Sequence, residues 1–111
     1  MTDDGDEASA ENIPGPNVPA GAVSKELLII NKRGLHARAS AKFVQLVERF
    51  TSEVWVTRGG ETVGGRSIMG LMMLAAGPGT TVTVSALGPD AEQAITAITE
   101  LVESKFNEEG T

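Results

Sequence analysis

The sequence predicts an α+β domain in which a four-stranded antiparallel sheet carries three helices on one face. Two observations support this fold class. Segments with apolar residues at alternate positions and segments with apolar residues at helical spacing follow each other in the order β-α-β-β-α-β-α. Three amphipathic helices also need a shared apolar surface on which to bury their stripes, and one antiparallel sheet is the simplest such surface.

The first four predicted elements are a strand, a helix and a hairpin. The apolar run Glu26–Asn31 predicts the first strand, and Ala37–Phe50 carries apolar residues at the spacing of an amphipathic helix. Glu53–Thr57 predicts a second strand, which the Gly59-Gly60 turn joins to a short strand near Glu61–Val63.

The last three predicted elements are a short helix, a strand and a long helix. Ile68–Ala76 predicts a helix that Gly77-Pro78 ends, and Thr80–Leu87 alternates as a strand with one solvated face. Asp90 is expected to cap the final helix. The predicted solvated face of the strand comprises Thr81, Thr83 and Ser85. The predicted apolar stripe of the final helix comprises Ala91, Ala94, Ile95, Ile98, Leu101 and Val102.

Length and composition indicate one small domain between two short tails. The chain has 111 residues, enough for a modest core. Residues 1–23 contain three prolines and five acidic residues but no lysine or arginine, so we predict a disordered acidic tail there. The predicted domain spans residues 24–107, and residues 108–111 form a C-terminal tail. No apolar stretch approaches the roughly 20 residues of a membrane span, and the acidic N-terminus does not resemble a targeting peptide.

Cysteine and histidine usage limits the possible chemistry. The chain has no cysteine, which excludes disulfides, thiolate metal sites and cysteine nucleophiles and fits a reducing cytoplasm. A single histidine excludes His-rich metal sites, so we expect no metal and no cofactor. From Lys25 to Arg66, eight basic residues stand against four acidic ones. This balance favours an anionic ligand or an acidic partner surface, but it is too weak to indicate nucleic-acid binding.

The one histidine, His36, stands at the junction of the first strand and the first helix, in the segment Gly34-Leu35-His36-Ala37-Arg38. The N–H groups of a first helical turn lack intrahelical partners and carry a partial positive charge, which suits a phosphate. Arg38 can add a planar charged donor, and the same positive field favours a neutral, nucleophilic imidazole. Gly34 is expected to leave space for the backbone of a partner. A phosphorylated histidine and a plain capping histidine both remain compatible with this pattern.

The residues around His36 do not provide a complete catalytic site. The chain offers no second histidine and no cysteine, and no carboxylate lies in the flanking segment. A hydrolase or a kinase would need such groups. A phosphoryl carrier needs only an exposed nucleophile, because its donor and acceptor enzymes supply the catalytic groups. We therefore predict a carrier rather than an enzyme.

The second informative segment, Ser67–Leu74, is apolar on nearly all sides. Ser67 stands at the predicted N-cap of the second helix and could also accept a regulatory phosphate. So short a helix cannot bury every side, which predicts an exposed, Met-rich docking patch. The residues expected on this docking patch are Ile68, Met69 and Met72. Leu71 and Leu74 are expected in the core, and core filling is also the alternative for the two methionines.

Together, the two segments resemble those of the HPr family, the histidine phosphocarriers of the bacterial phosphoenolpyruvate-dependent phosphotransferase system. The resemblance extends over residues 25–106 and depends on Gly34–Arg38 and Ser67–Leu74 occurring at this spacing and in this element order. It implies an open-faced β-sandwich, which agrees with the elements predicted above.

The resemblance also implies roles and partners. It implies phosphorylation of His36 at Nδ1, stabilisation of the phosphate by Arg38 and, in some members, a dedicated serine kinase for Ser67. The implied phosphoryl donor is Enzyme I and the implied acceptor is an Enzyme IIA-type protein, with both docking on the patch of Ile68, Met69 and Met72. Neither nucleic acid nor membrane insertion is implied, and the implied location is the cytoplasm.

Two features depart from the family pattern. Ala39 stands after Arg38, where the family commonly has proline, a residue that suits a first helical turn but is not needed for one. The acidic N-terminal extension is also atypical. The ending from Leu101 to Glu109 looks more like the nitrogen-related branch of the family than the sugar-uptake branch.

Two other functions are alternatives to the carrier. A regulatory adaptor of the same fold would use the docking patch without carrying phosphate on His36, and incubation with phosphoenolpyruvate and Enzyme I would separate the two. An RNA-binding α/β domain would present aromatic residues on the exposed sheet face. The solvated face of Thr80–Leu87 carries only threonine and serine, and the chain has four aromatic residues in all, which disfavours RNA binding.

Overall fold

The structure, a computed structural model, describes residues 18–108. In chain order, the strands and helices of this part are β1 (Val23–Leu28), α1 (Ala37–Val47), β2 (Glu53–Arg58), β3 (Glu61–Gly64), α2 (Ile68–Met73), β4 (Thr81–Leu87) and α3 (Ala91–Glu103). The strands form one antiparallel sheet in the order β1-β4-β2-β3, with the three helices on one face. The predicted fold class and element order are confirmed.

The core lies between the sheet and the helices. Alternate residues of β2 and β4 point into it, and the apolar stripes of α1 and α3 cover them. The predicted stripe of α3 is confirmed, with Ile95 and Leu101 partly buried at its margin. Leu71 and Leu74 are buried as predicted. The main side chains of this core are Phe43, Val47, Val54, Val56, Leu71, Val82, Val84, Ile98, Val102 and Phe106.

β1 is displaced along the chain from its predicted position. It pairs with β4 from Val23 to Leu28 rather than over Glu26–Asn31. Ile29 is buried and still exchanges backbone hydrogen bonds with the turn before β4, through Gly79 and Thr80. The apolar run therefore continues past the end of the regular strand into a buried loop, which periodicity alone cannot distinguish from a strand.

Two helices are shorter than predicted. α1 ends at Val47 instead of Phe50, because the N–H groups of Arg49 and Phe50 donate to i−3 carbonyls, each at 3.0 Å. α2 ends at Met73 instead of Ala76, because Ala75 adopts a φ of +54°. The helix therefore ends before the Gly77-Pro78 pair, which was the predicted end.

Two polar residues differ from expectation. Ser85 is fully buried instead of solvated, because Ser24 of β1 and Trp55 of β2 pair with it on its two sides, and its hydroxyl shares a 2.8 Å hydrogen bond with that of Ser24. Asp90 precedes α3, but its side chain makes no capping hydrogen bond. Its carboxylate instead accepts the backbone N–H groups of Thr51 and Ser52, both at 3.0 Å, and so fixes the loop before β2.

The predicted tails fall mostly on residues that the structure does not describe. Residues 1–17 and 109–111 lie outside the described part, so the disordered tail remains a prediction. β1 already begins at Val23, the last residue of the predicted N-terminal tail. No helix of residues 18–108 is long and apolar enough to cross a membrane.

Candidate functional site

The loop before α1 folds back on the backbone of the α2–β4 connection. Gly34 has a φ of +65°, and the N–H of Leu35 donates to the carbonyl of Ala76 at 3.0 Å. A Cβ atom at residue 34 would overlap that carbonyl oxygen and lie 2.8 Å from the Cα of Gly77. The close approach that Gly34 permits is therefore to this chain's own backbone rather than to that of a partner.

His36 is the N-cap residue of α1. Its backbone is extended, and its carbonyl accepts the N–H of Ser40 at 2.8 Å. Its ring Nδ1 accepts the N–H of Arg38 at 3.3 Å. A ring nitrogen accepts through its lone pair, so the hydrogen-bond pattern assigns no proton to Nδ1. The capping histidine and the nucleophilic histidine that the sequence left as alternatives are therefore compatible in a single residue.

The other ring nitrogen contacts a carboxylate that the sequence analysis did not place near His36. Nε2 lies 2.6 Å from Oε2 of Glu108, and the two side chains are 17% and 8% exposed, respectively. Because Nδ1 accepts, Nε2–H is the donor to the carboxylate. From the sequence, Glu108 was expected in the C-terminal tail. The sequence signal for its placement is Phe106, which continues the apolar stripe of α3 four residues after Val102 and anchors the chain end.

The carboxyl group of Glu108 is ionised at neutral pH. Burial raises its pKa, but hydrogen bonds from His36 and Asn31 and the positive charge of Lys42 outweigh burial and hold the pKa below the usual 4.5. His36 therefore lies between the positive first turn of α1 and a negative carboxylate. Only the positive helix start is predictable from the residues next to His36.

A cavity of about 240 Å³ opens beside His36. Its lining residues are Arg33, Leu35, His36, Ala75, Ala76 and Gly77. Arg38 lies exposed on the first turn of α1, where its backbone N–H contacts Nδ1. Arg33, to which the sequence analysis gave no role, is the cationic residue that lines the cavity. Within residues 18–108, no group of three or more histidine or acidic side chains could hold a metal ion.

Ser67 caps α2 as predicted, since its Oγ accepts the N–H of Gly70 at 2.9 Å. The apolar side chains that follow it are exposed, as predicted for the docking patch, and α2 packs against α1. Met73, which the prediction did not include, is the most exposed of them. The exposed fractions are 40% for Ile68, 68% for Met69, 40% for Met72 and 72% for Met73.

Known proteins provide an independent comparison. The model of the family described as the PTS HPr component phosphorylation site matches residues 23–104. The phosphocarrier protein HPr of Neisseria meningitidis serogroup A is 50% identical over 86 residues, which cover 78% of this chain and 97% of that protein. The phosphocarrier protein NPr of Shewanella violacea is 40% identical over 86 residues, which cover 78% of this chain and 94% of that protein.

A solved structure shows the same fold. The crystal structure of HPr-C-His from Thermoanaerobacter tengcongensis matches with a TM-score of 0.74 and 46% identity, over 78% of this chain and 97% of that chain. The similarity to an NPr supports the nitrogen-related leaning of the C-terminal segment, while the relatives named HPr reach higher identity. With a family model, relatives of both names and a solved fold in agreement, the chain belongs to the HPr family of phosphocarriers of the phosphotransferase system.

Proposed function

We propose that this phosphocarrier takes a phosphoryl group onto Nδ1 of His36 from phosphorylated Enzyme I and passes it to an Enzyme IIA-type protein. The observation that carries the proposal is the ring orientation: Nδ1 faces the N–H of Arg38 at the start of α1, while Nε2 is occupied by Glu108. Nδ1 is therefore the ring nitrogen with a lone pair directed at a site suited to a phosphate.

The first turn of α1 supplies the electrostatic setting for transfer. Nδ1 attacks phosphorus with its lone pair, the Nδ1–P bond forms, and the bond from phosphorus to the donor breaks. The N–H of Arg38, no longer held by that lone pair, can donate to a phosphoryl oxygen, as the free N–H groups of a helix start commonly do. The exposed guanidinium of Arg38 can add a charged hydrogen bond. The reverse sequence of bond changes delivers the group to the acceptor.

Donor and acceptor dock on the exposed apolar side chains of α2. Truncating Met69, 68% exposed, to serine should slow transfer from Enzyme I without lowering the melting temperature, because the lost contact is made only in the complex. Leu28→Ser is the matched control, since Leu28 is 52% exposed on β1, at the sheet edge opposite β3. Equal slowing by both variants would contradict docking on α2.

Ser67 is the proposed site of a regulatory serine kinase. Its hydroxyl is exposed at the N-terminus of α2, beside the docking patch, so a phosphate there adds charge where a partner must bind. The proposed location of the carrier is the cytoplasm, in agreement with the lack of cysteine. The ending of the chain and the similarity to an NPr favour an acceptor of the nitrogen-related branch.

The test uses the full chain with Enzyme I and phosphoenolpyruvate. Wild type should gain one acid-labile, alkali-stable phosphoryl group, detected by mass spectrometry. His36→Asn keeps a good N-cap residue but lacks the imidazole, so it should fold and gain none. Phosphorylation of this variant would refute the role of His36. A wild-type protein that binds Enzyme I but gains no phosphate would favour the adaptor.

A further inference from the structure

The chain after α3 makes an unusual turn. Lys105, Phe106 and Asn107 have φ values of +59°, +56° and +56°, the left-handed region that residues other than glycine seldom adopt. Three such residues in succession persist only where the surroundings hold them. We call residues 105–108 the C-terminal hook.

Phe106 anchors the C-terminal hook to the domain through its side chain and its backbone carbonyl. The Phe106 side chain is fully buried in the core, and its carbonyl oxygen accepts a hydrogen bond from Nζ of Lys42 at 2.6 Å. Lys42 lies on α1, the helix that His36 caps. The C-terminal hook is therefore anchored from the core and from α1, and its direction places Glu108 at the histidine.

Both carboxylate oxygens of Glu108 have partners in the loop before α1. Oε2 lies 2.6 Å from Nε2 of His36, and Oε1 accepts a hydrogen bond from Nδ2 of Asn31 at 3.3 Å. Asn31 is fully buried, and its Nδ2 also donates to the carbonyl of Gly34 at 2.9 Å. If the amide were flipped, its oxygen would face the carbonyl oxygen of Gly34 and Oε1 of Glu108, which are both acceptors. The observed orientation is therefore the favourable one. Asn31 thus ties the carboxylate to the same loop that positions His36.

We propose that Glu108 is a positioning residue for phosphoryl transfer, holding the proton on Nε2 of His36 and neutralising the charge that the ring gains when Nδ1 binds phosphorus. The inference rests on the proposed function and deepens it. With Nδ1 accepting the N–H of Arg38, the ring proton is on Nε2, and it stays there as the Nδ1–P bond forms and the donor's bond to phosphorus breaks. No proton leaves the ring, so the ring becomes a cation. The carboxylate, 2.6 Å away, lies where that charge develops.

The first arm of the test needs no phosphate. In ¹H–¹⁵N spectra of the full chain, wild type should show a slowly exchanging proton on Nε2 of His36. Glu108→Ala should lose this signal to exchange with water, whereas Glu108→Gln should keep it, because an amide oxygen can still accept. Glu103→Gln removes an exposed carboxylate from the end of α3 and should resemble wild type. Absence of a protected Nε2 proton in wild type would overturn the positioning role.

The second arm measures charge neutralisation. With Enzyme I at a fixed ratio of phosphoenolpyruvate to pyruvate, both Glu108 variants should show an initial rate and an equilibrium constant for phosphorylation lowered by about tenfold, the effect expected for a hydrogen bond to a charged group. A merely structural role would not shift the equilibrium in a Glu108→Gln protein that melts like wild type. If the initial rate and the equilibrium constant of both Glu108 variants equalled those of wild type and Glu103→Gln, the inference would be overturned.

The two arms distinguish this inference from the proposed function. If wild type takes phosphate on His36 and the Glu108 variants match it, the inference fails and the proposed function stands. If wild type takes no phosphate, the proposed function fails and charge neutralisation fails with it. The spectra of the first arm still decide whether Glu108 holds the Nε2 proton.

Discussion

The starts of α1 and α2 are built in different ways. α2 begins with Ser67, whose hydroxyl accepts the N–H of Gly70 three residues on, a contact within one turn of chain. α1 begins with His36, whose ring is held by Arg38 on one side and by Glu108, 72 residues later, on the other. The cap of α2 is therefore made by residues within one helical turn, whereas the start of α1 depends on a contact between residues near the two ends of the domain.

The difference agrees with what each position is proposed to do. A regulatory serine needs only an exposed hydroxyl, and a local cap leaves Ser67 exposed. A phosphoryl-carrying imidazole needs a fixed ring orientation, because only one of its two nitrogens must be available. Distant anchors, such as Glu108 and the Gly34–Ala76 contact, supply that constraint.

The largest expected effect is that of Gly34→Ala, which disrupts the long-range contact between the loop before α1 and the α2–β4 connection. Its positive φ and its overlap with the Ala76 carbonyl should lower the free energy of unfolding by about 3 kcal/mol. Gly59→Ala is the matched control: its φ is +61°, but a Cβ atom there would have no atom within 4 Å beyond its chain neighbours, so about 1 kcal/mol is expected. Urea unfolding measures both. Equal losses would mean that the approach of the α2–β4 connection does not constrain the start of α1.

A smaller effect is expected from substitutions of Ser67, which caps α2 through a local contact. Ser67→Ala should lower the free energy of unfolding by about 1 kcal/mol, because it removes the cap to Gly70. Ser67→Asp should keep the stability, since aspartate also caps, but slow transfer from Enzyme I by its charge at the docking patch. Ser67→Asn caps without charge and should transfer like wild type. Slowing by Ser67→Asn would show that charge is not the cause.

The smallest effect is expected at the start of α3, where Asp90 uses its side chain for a distant loop instead of its own helix. The Ser52 hydroxyl, followed by the backbone N–H of Thr51, lowers the pKa of Asp90 below its usual 3.8. Its contribution to stability is therefore complete above about pH 3.8 and is lost as pH falls through the lower folded-state value.

Melting temperatures across pH measure this contribution. Asp90→Asn should melt below wild type at neutral pH, and the gap should close in acid as the wild-type carboxyl is protonated. Glu92→Gln, on the exposed first turn of α3, is the control and should leave the melting temperature nearly unchanged. A gap that stays constant down to pH 2 would contradict the role of the Asp90 carboxylate.

The same contrast explains what could be predicted from the sequence. Periodicity within single segments was sufficient for the fold class and for the Ser67 cap, because these depend on neighbours within a few positions. The extent of β1, the carboxylate beside His36 and the actual contacts of Asp90 depend on residues brought together by the sheet. Phe106 signals that the chain end is anchored, but no local pattern names the partner of Glu108 or of Asp90, so local patterns placed Glu108 in a tail and Asp90 in a cap.

The central claim is that Nδ1 of His36 carries the phosphoryl group while Glu108 holds the proton on Nε2. It is tested most directly in full-length protein with ¹⁵N-labelled imidazole, phosphorylated by Enzyme I and observed by ³¹P–¹⁵N correlation. We expect phosphorus coupled to Nδ1 of His36, with a proton still on Nε2. Coupling to Nε2, or phosphate on any other residue, would contradict the account, because Nε2 faces Glu108 at 2.6 Å.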